Sequence, residues 1–112
     1  MSATIDTNPR IAIRSTRMVV SITLALGASA FTIKHDGKAI HAQSFTASYD
    51  LEDGEMTWTA AGLAVKANGQ VGTQYRTGFY VPEGYIPATC RIMVRDEIKA
   101  TLRHAAALAK AL

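Results

Sequence analysis

Apolar and polar residues alternate through "MVVSITLALGASAFTI", residues 18–33. Met18, Val20, Ile22, Leu24 and Leu26 fall on one side of an extended chain, with Val19, Ser21, Thr23 and Ala25 on the other. Period two is the repeat of a half-buried strand. A secretory signal has basic residues, an apolar run and an A-x-A site, and Arg10, Arg14, Arg17 and Ala28-Ser29-Ala30 supply the same parts. A signal's apolar core needs no alternation, however, so the run is expected to be a strand. It is also short of the roughly 20 residues a membrane span requires. Residues 1–9 are polar and aperiodic, which predicts a flexible N-terminal arm.

Turn dipeptides then divide the chain into antiparallel strands. In "FTIKHDGKAIHA" the pair Asp36-Gly37 suits a two-residue turn with positive φ at both positions. Folding there sets Ile33 opposite Ile40 and Phe31 opposite Ala42. Thr32 and His41, with Lys34 and Ala39, share the other face. In "YDLEDGEMTW" a turn at Asp53-Gly54 would bring Glu52 against Glu55, so a four-residue loop over 52–55 is expected. That register pairs Leu51 with Met56, Tyr49 with Trp58 and Phe45 with Gly62. Asn68-Gly69 predicts a third turn, and Gly62 a bulge where the strand changes face.

"PEGYIP" is a loop, because Pro82 and Pro87 bracket a glycine. The stretch after it reads two ways. "ATCRIMVR" alternates as a strand would, while Cys90, Val94, Ile98 and Leu102 form an apolar stripe if a helix starts at Pro87. The alternation favours a sixth strand up to about Val94, with a helix over 95–112. Asp96 and Glu97 suit the start of that helix and Lys110 its end.

The expectation is a single α+β domain: an antiparallel meander of five or six strands over residues 10–94, closed by one C-terminal helix. Its 112 residues, 48% of them hydrophobic, suffice for one modest core. A core that small makes a homo-oligomer or a protein partner plausible. The single cysteine, Cys90, excludes an intrachain disulfide and fits a reducing, cytoplasmic setting.

Charge suggests a function class. The net charge is +3, and Arg91, Arg95, Lys99 and Arg103 recur every four residues near the C-terminus. On one helix they would smear over roughly 120°. They read either as a solvated helix face or as a nucleic-acid contact, with Arg76 as a further phosphate ligand. The strand aromatics Tyr49, Trp58, Tyr75, Phe79 and Tyr80, near Lys34, Lys66 and Arg76, form a second candidate surface, since rings and cations together hold single strands. Core packing competes for each ring.

Catalysis is not expected. His35 and His41 point to different faces, and no third metal ligand can be placed. Asp50, Glu52, Asp53 and Glu55 match no calcium-loop spacing. Cys90 reads as a buried, inert thiol. No P-loop, dinucleotide or nucleophile-elbow motif is present, so no cofactor is expected.

The residues therefore predict a non-catalytic binding module. Nucleic-acid binding through the C-terminal basic surface is favoured, with an assembly subunit, adaptor or inhibitor as the alternative. In element order alone, the meander and helix resemble single-stranded nucleic-acid binders of the coactivator and Whirly type.

Overall fold

The computed structural model describes the backbone of residues 6–14 and 17–111, and side chains from residue 19 to residue 104. The chain is an α+β meander. Its strands are β1 (Asp6–Arg14), β2 (Arg17–Ala25), β3 (Phe31–His35), β4 (Lys38–Asp50), β5 (Met56–Val65) and β6 (Val71–Tyr80), and the helix is α1 (Ala88–Ala111). The sheet is antiparallel in the order β1-β2-β4-β5-β6. β3 lies on the same edge of β4 as β2: β2 pairs with residues 44–50 and β3 with residues 38–42. β2 and β3 thus act as one long strand, interrupted by the 3₁₀ turn Gly27–Ser29.

Alternation in β2 places Val20, Ile22 and Leu24 in the core. The expected arm is partly strand, because residues 6–9 belong to β1; residues 1–5 lie outside the described residues. Pro9 pairs opposite Ile22 on a strand at the sheet's border, where a missing N–H is tolerated.

The first hairpin has the expected register, with Phe31 opposite Ala42, Ile33 opposite Ile40 and Lys34 opposite Ala39. Asp36 (φ 52°) and Gly37 (φ 72°) both take positive φ. The second hairpin departs by two residues. Tyr49 pairs with Met56, Trp58 with Ala47 and Phe45 with Ala60, so the expected Leu51–Met56, Tyr49–Trp58 and Phe45–Gly62 pairs do not form. The loop is 51–54, closed where the Asp50 N–H donates to the Glu55 carbonyl at 2.9 Å. Side chain–backbone bonds set it early: Asp50 accepts from the Glu52 N–H at 2.8 Å and Asp53 from the Glu55 N–H at 2.9 Å. A slip of two keeps each side chain on its face. Trp58 stays buried, opposite a residue small enough to leave room for the indole.

The third hairpin turns at Asn68-Gly69, with Gly69 at φ 87° and the Asn68 side chain accepting from the Gln70 N–H at 3.0 Å.

Irregularities line up across the sheet. The β4–β5 register shifts at Gln43, the β5–β6 register shifts between Ala60 and Gly62, and Gly78 in β6 has φ 70°. Together with the interruption between β2 and β3 they bend the sheet along one transverse line. On one side lies the part joined to β1 and β2. On the other is an extension made of β3, the start of β4, the end of β5 and the start of β6.

Residues 88–94 are helix, not a sixth strand, and the sheet's last strand ends at Tyr80. Packing decides this. Val81 and Ile86 enter the core from the intervening loop, and Cys90, Val94 and Ile98 follow as a buried stripe at helical spacing. A strand would have used only alternate positions and left the Val20–Ile22–Leu24 face uncovered. Asp96 and Glu97 therefore sit inside the helix and not at its start. The alanine-rich side chains beyond residue 104 lie outside the described residues.

Candidate nucleic-acid interface

The four predicted helix cations do not act alike. Arg91 is half-buried, and its Nε donates to the Ile86 carbonyl at 3.1 Å. Arg95 is paired with Glu83 at 3.0 Å. Lys99 and Arg103 are exposed, with no carboxylate partner among the described residues. Each cation directly follows a residue of the apolar stripe, Cys90, Val94, Ile98 or Leu102, and only Arg91, beside the loop that precedes the helix, is half-buried.

The fifth predicted residue, Arg76, stands elsewhere. It lies on β6 opposite Gly62, in the extension, and reaches only the Gln74 amide at 3.4 Å. It borders one of three adjoining depressions, of about 330, 300 and 310 Å³, and Lys38 lines all three. Arg76 borders the first, Lys34 and Lys66 the second, and His35 and Tyr80 the third. The four cations of this trough are exposed, and none has a carboxylate partner among the described residues. The one acid on its lining, Asp36, contacts His35 at 3.4 Å.

The fold puts these groups together for simple reasons. Lys34, Lys38 and Lys66 flank the Asp36-Gly37 and Asn68-Gly69 turns, which meet at one end of the sheet. The acidic residues Asp50, Glu52, Asp53 and Glu55 flank the β4–β5 turn at the other end. Among residues 19–104, the lysines of these two turns and the acids of the β4–β5 turn thus lie at opposite ends of the strands.

The aromatic candidates divide as well. Trp58 is core, and Tyr49 and Phe79 pack half-buried against the core. Tyr75 and Tyr80 are 57% and 58% exposed. Tyr75 pairs with Leu63, on the face of the extension away from Ile40. Tyr80 borders the trough, with its ring centroid 6.2 Å from that of His35, and Tyr85 meets His35 edge-on at 5.3 Å. Tyr85, 47% exposed, was absent from the sequence candidates, as were Lys38 and His35 as site residues. A tyrosine inside a Pro/Gly loop and a lysine closing a two-residue turn are usable signals, since both positions favour exposure.

His41 accompanies Thr32, at 3.3 Å between Nδ1 and Oγ1, away from His35. Among the described residues no three His, Cys, Asp or Glu side chains converge as metal ligands would. Cys90 is buried, and desolvation pushes its thiol above the ordinary value. Among the described residues no helix is long and apolar enough to cross a membrane.

Comparison with protein-family models, curated proteins and solved structures finds no match to this chain. The likeness to coactivator and Whirly proteins therefore carries no argument, and function rests on the surface itself.

Proposed function

We propose that this chain is a non-catalytic nucleic-acid-binding module that works in the cytoplasm, where a lone buried thiol stays reduced. One observation carries the reading. The exposed cations Lys34, Lys38, Lys66 and Arg76 gather at the end of the sheet remote from the acidic turn. None of them has a salt-bridge partner among the described residues, the one acid of the trough, Asp36, contacting His35. A concentrated positive field attracts a polyanion and speeds its encounter. Lys99 and Arg103, exposed cations of the helix surface suggested by the sequence, lie on α1 and line none of these depressions. The test is a titration of labelled oligonucleotide against salt. Phosphate-driven binding weakens linearly on a log–log plot as counterions are retained. Binding that is absent at low salt, or indifferent to salt, rejects the reading.

A second reading is favoured by a different observation. β6 closes the sheet on one side, with Val71, Tyr75 and Tyr80 exposed along it. An edge with free backbone groups and apolar side chains is a template for another strand, so a second copy or a protein partner would dock there. Light scattering of the purified chain separates the two readings. A nuclease-resistant oligomer without co-purifying nucleic acid favours the second.

A further inference from the structure

We infer that the trough around Lys38 holds single-stranded nucleic acid, with phosphates on Lys34, Lys38, Lys66 and Arg76 and unstacked bases on Tyr80 and Tyr85. This rests on the nucleic-acid reading above and deepens it by naming the strand class and the surface. Two independent features converge. The cations lie along a continuous path, because Lys38 lines all three depressions and Phe79 lines both the one bordered by Arg76 and the one bordered by Tyr80. At one end of that path Tyr80 and Tyr85 flank His35, each about half exposed. A duplex presents phosphates but keeps its base faces stacked inside. Only a single strand offers both to such a surface.

The trough also has the shape for one strand. It wraps the end of the sheet: Lys38 shares the face of Ile40, whereas Lys34, next to buried Ile33, points to the opposite face. A flexible single strand follows that bend, and a stiff duplex does not. The C-terminal helix, by contrast, has two of the four cations predicted as its contact surface already engaged.

Four phosphate contacts on a single strand give a log–log salt slope of about −2.8. That is roughly a fiftyfold loss of affinity between about 50 and 200 mM salt. The experiment is fluorescence anisotropy of the full chain with single-stranded DNA of about 16 nucleotides and a hairpin duplex of equal length. Three double variants are compared with the unaltered protein: Lys38→Glu/Arg76→Glu, Tyr80→Ala/Tyr85→Ala and Lys99→Glu/Arg103→Glu. All six side chains are exposed, and matching circular dichroism melts verify that each variant is folded.

The trough charge variant should lose at least about tenfold in affinity and flatten the slope by about 1.4. The tyrosine variant should also lose about tenfold but keep the slope, because stacking releases no counterions. The helix variant should stay within about twofold of the unaltered protein, and the hairpin should bind more weakly than the single strand. Trough and tyrosine variants that bind normally overturn the inference. If the helix variant alone fails, the surface moves to α1 and the nucleic-acid reading survives. A hairpin bound as tightly as the single strand removes the strand class alone. If the unaltered protein binds neither probe at low salt, both readings fall together.

Discussion

Arg95 Nη2 lies 3.0 Å from Glu83 Oε1, which ties α1 to the 3₁₀ turn Glu83–Tyr85 that carries Tyr85. The contact removes one cation from the helix surface and holds the turn whose Tyr85 ring meets His35 at the trough's end. Both side chains are about half exposed, so water screens the pair and its worth is at most about 1 kcal/mol. Glu83→Gln should lower unfolding stability by about 0.5 kcal/mol at low salt. Near 1 M salt, where the Debye length is about 3 Å, the deficit should vanish. Urea unfolding at the two salt levels measures it. A deficit above about 2 kcal/mol, or one that salt leaves alone, would mean that the turn depends on this pair.

Gly62 has the closest neighbours of the described glycines. A Cβ there would collide with the His41 carbonyl oxygen and fall 2.9 Å from the Gln43 nitrogen. Both are backbone atoms of β4, so no rotamer relieves the clash and the central strands must part. Gly62→Ala should cost about 3 kcal/mol, seen as a lower urea midpoint with an unchanged slope. Gly84→Ala is the control, since nothing lies within 4 Å of its Cβ position. It should stay within about 0.5 kcal/mol of the unaltered protein. Equal effects at the two glycines would contradict the bend assigned to residues 43 and 62.

That pair of glycines also shows what a sequence discloses and what it hides. Gly62 interrupts an apolar strand, which suggested a bulge, and Asp36-Gly37 defined a hairpin pair by pair, because both are local effects. The β4–β5 register was not legible, since the turn dipeptide Asp53-Gly54 does not show that Asp50 and Asp53 both accept backbone N–H groups and close the loop two residues early. The strand reading of residues 88–94 failed for a non-local reason. "ATCRIMVR" satisfies both periods, and only the uncovered face above Val20 and Ile22 selects the helix. The site was half visible. Arg76 and Tyr80 could be named, but Lys38 and Tyr85 join them only once two distant turns meet and the loop after β6 folds back.

Trp58 is 2% exposed, and its indole Nε1 has no hydrogen-bond partner among the described residues. A buried donor left unpaired costs about 1–3 kcal/mol in the native state. Trp58→Phe removes that penalty together with part of the ring, so the two changes oppose. A net loss of about 1 kcal/mol is expected, against about 3–5 kcal/mol for Trp58→Ala, which opens a cavity in the core. Circular dichroism melts serve both variants, because each lacks the chain's one tryptophan. Equal losses would show that the indole nitrogen finds a partner after all.

Cys90 gives stability a pH dependence whose sign follows from its burial. Packed with Val94 and Ile98 beneath the sheet, the thiol is raised above its ordinary value because desolvation disfavours the thiolate. The unfolded chain ionises at the usual thiol pKa, about 8.5, and the folded chain only above that. Below the unfolded value both states hold the proton and the thiol adds no slope. Above it the unfolded state releases its proton first, so the stability contributed by Cys90 declines as pH rises and is lost through the folded pKa. Cys90→Ala shares every other ionisable group with the unaltered protein and so isolates the thiol. At neutral pH that variant should be less stable by about 1 kcal/mol, from lost packing. The gap should narrow steadily as pH is raised toward 10, in urea unfolding under reducing conditions. A gap that widens instead would mean that the folded protein stabilises the thiolate, and a thiol reagent would then label Cys90 without unfolding.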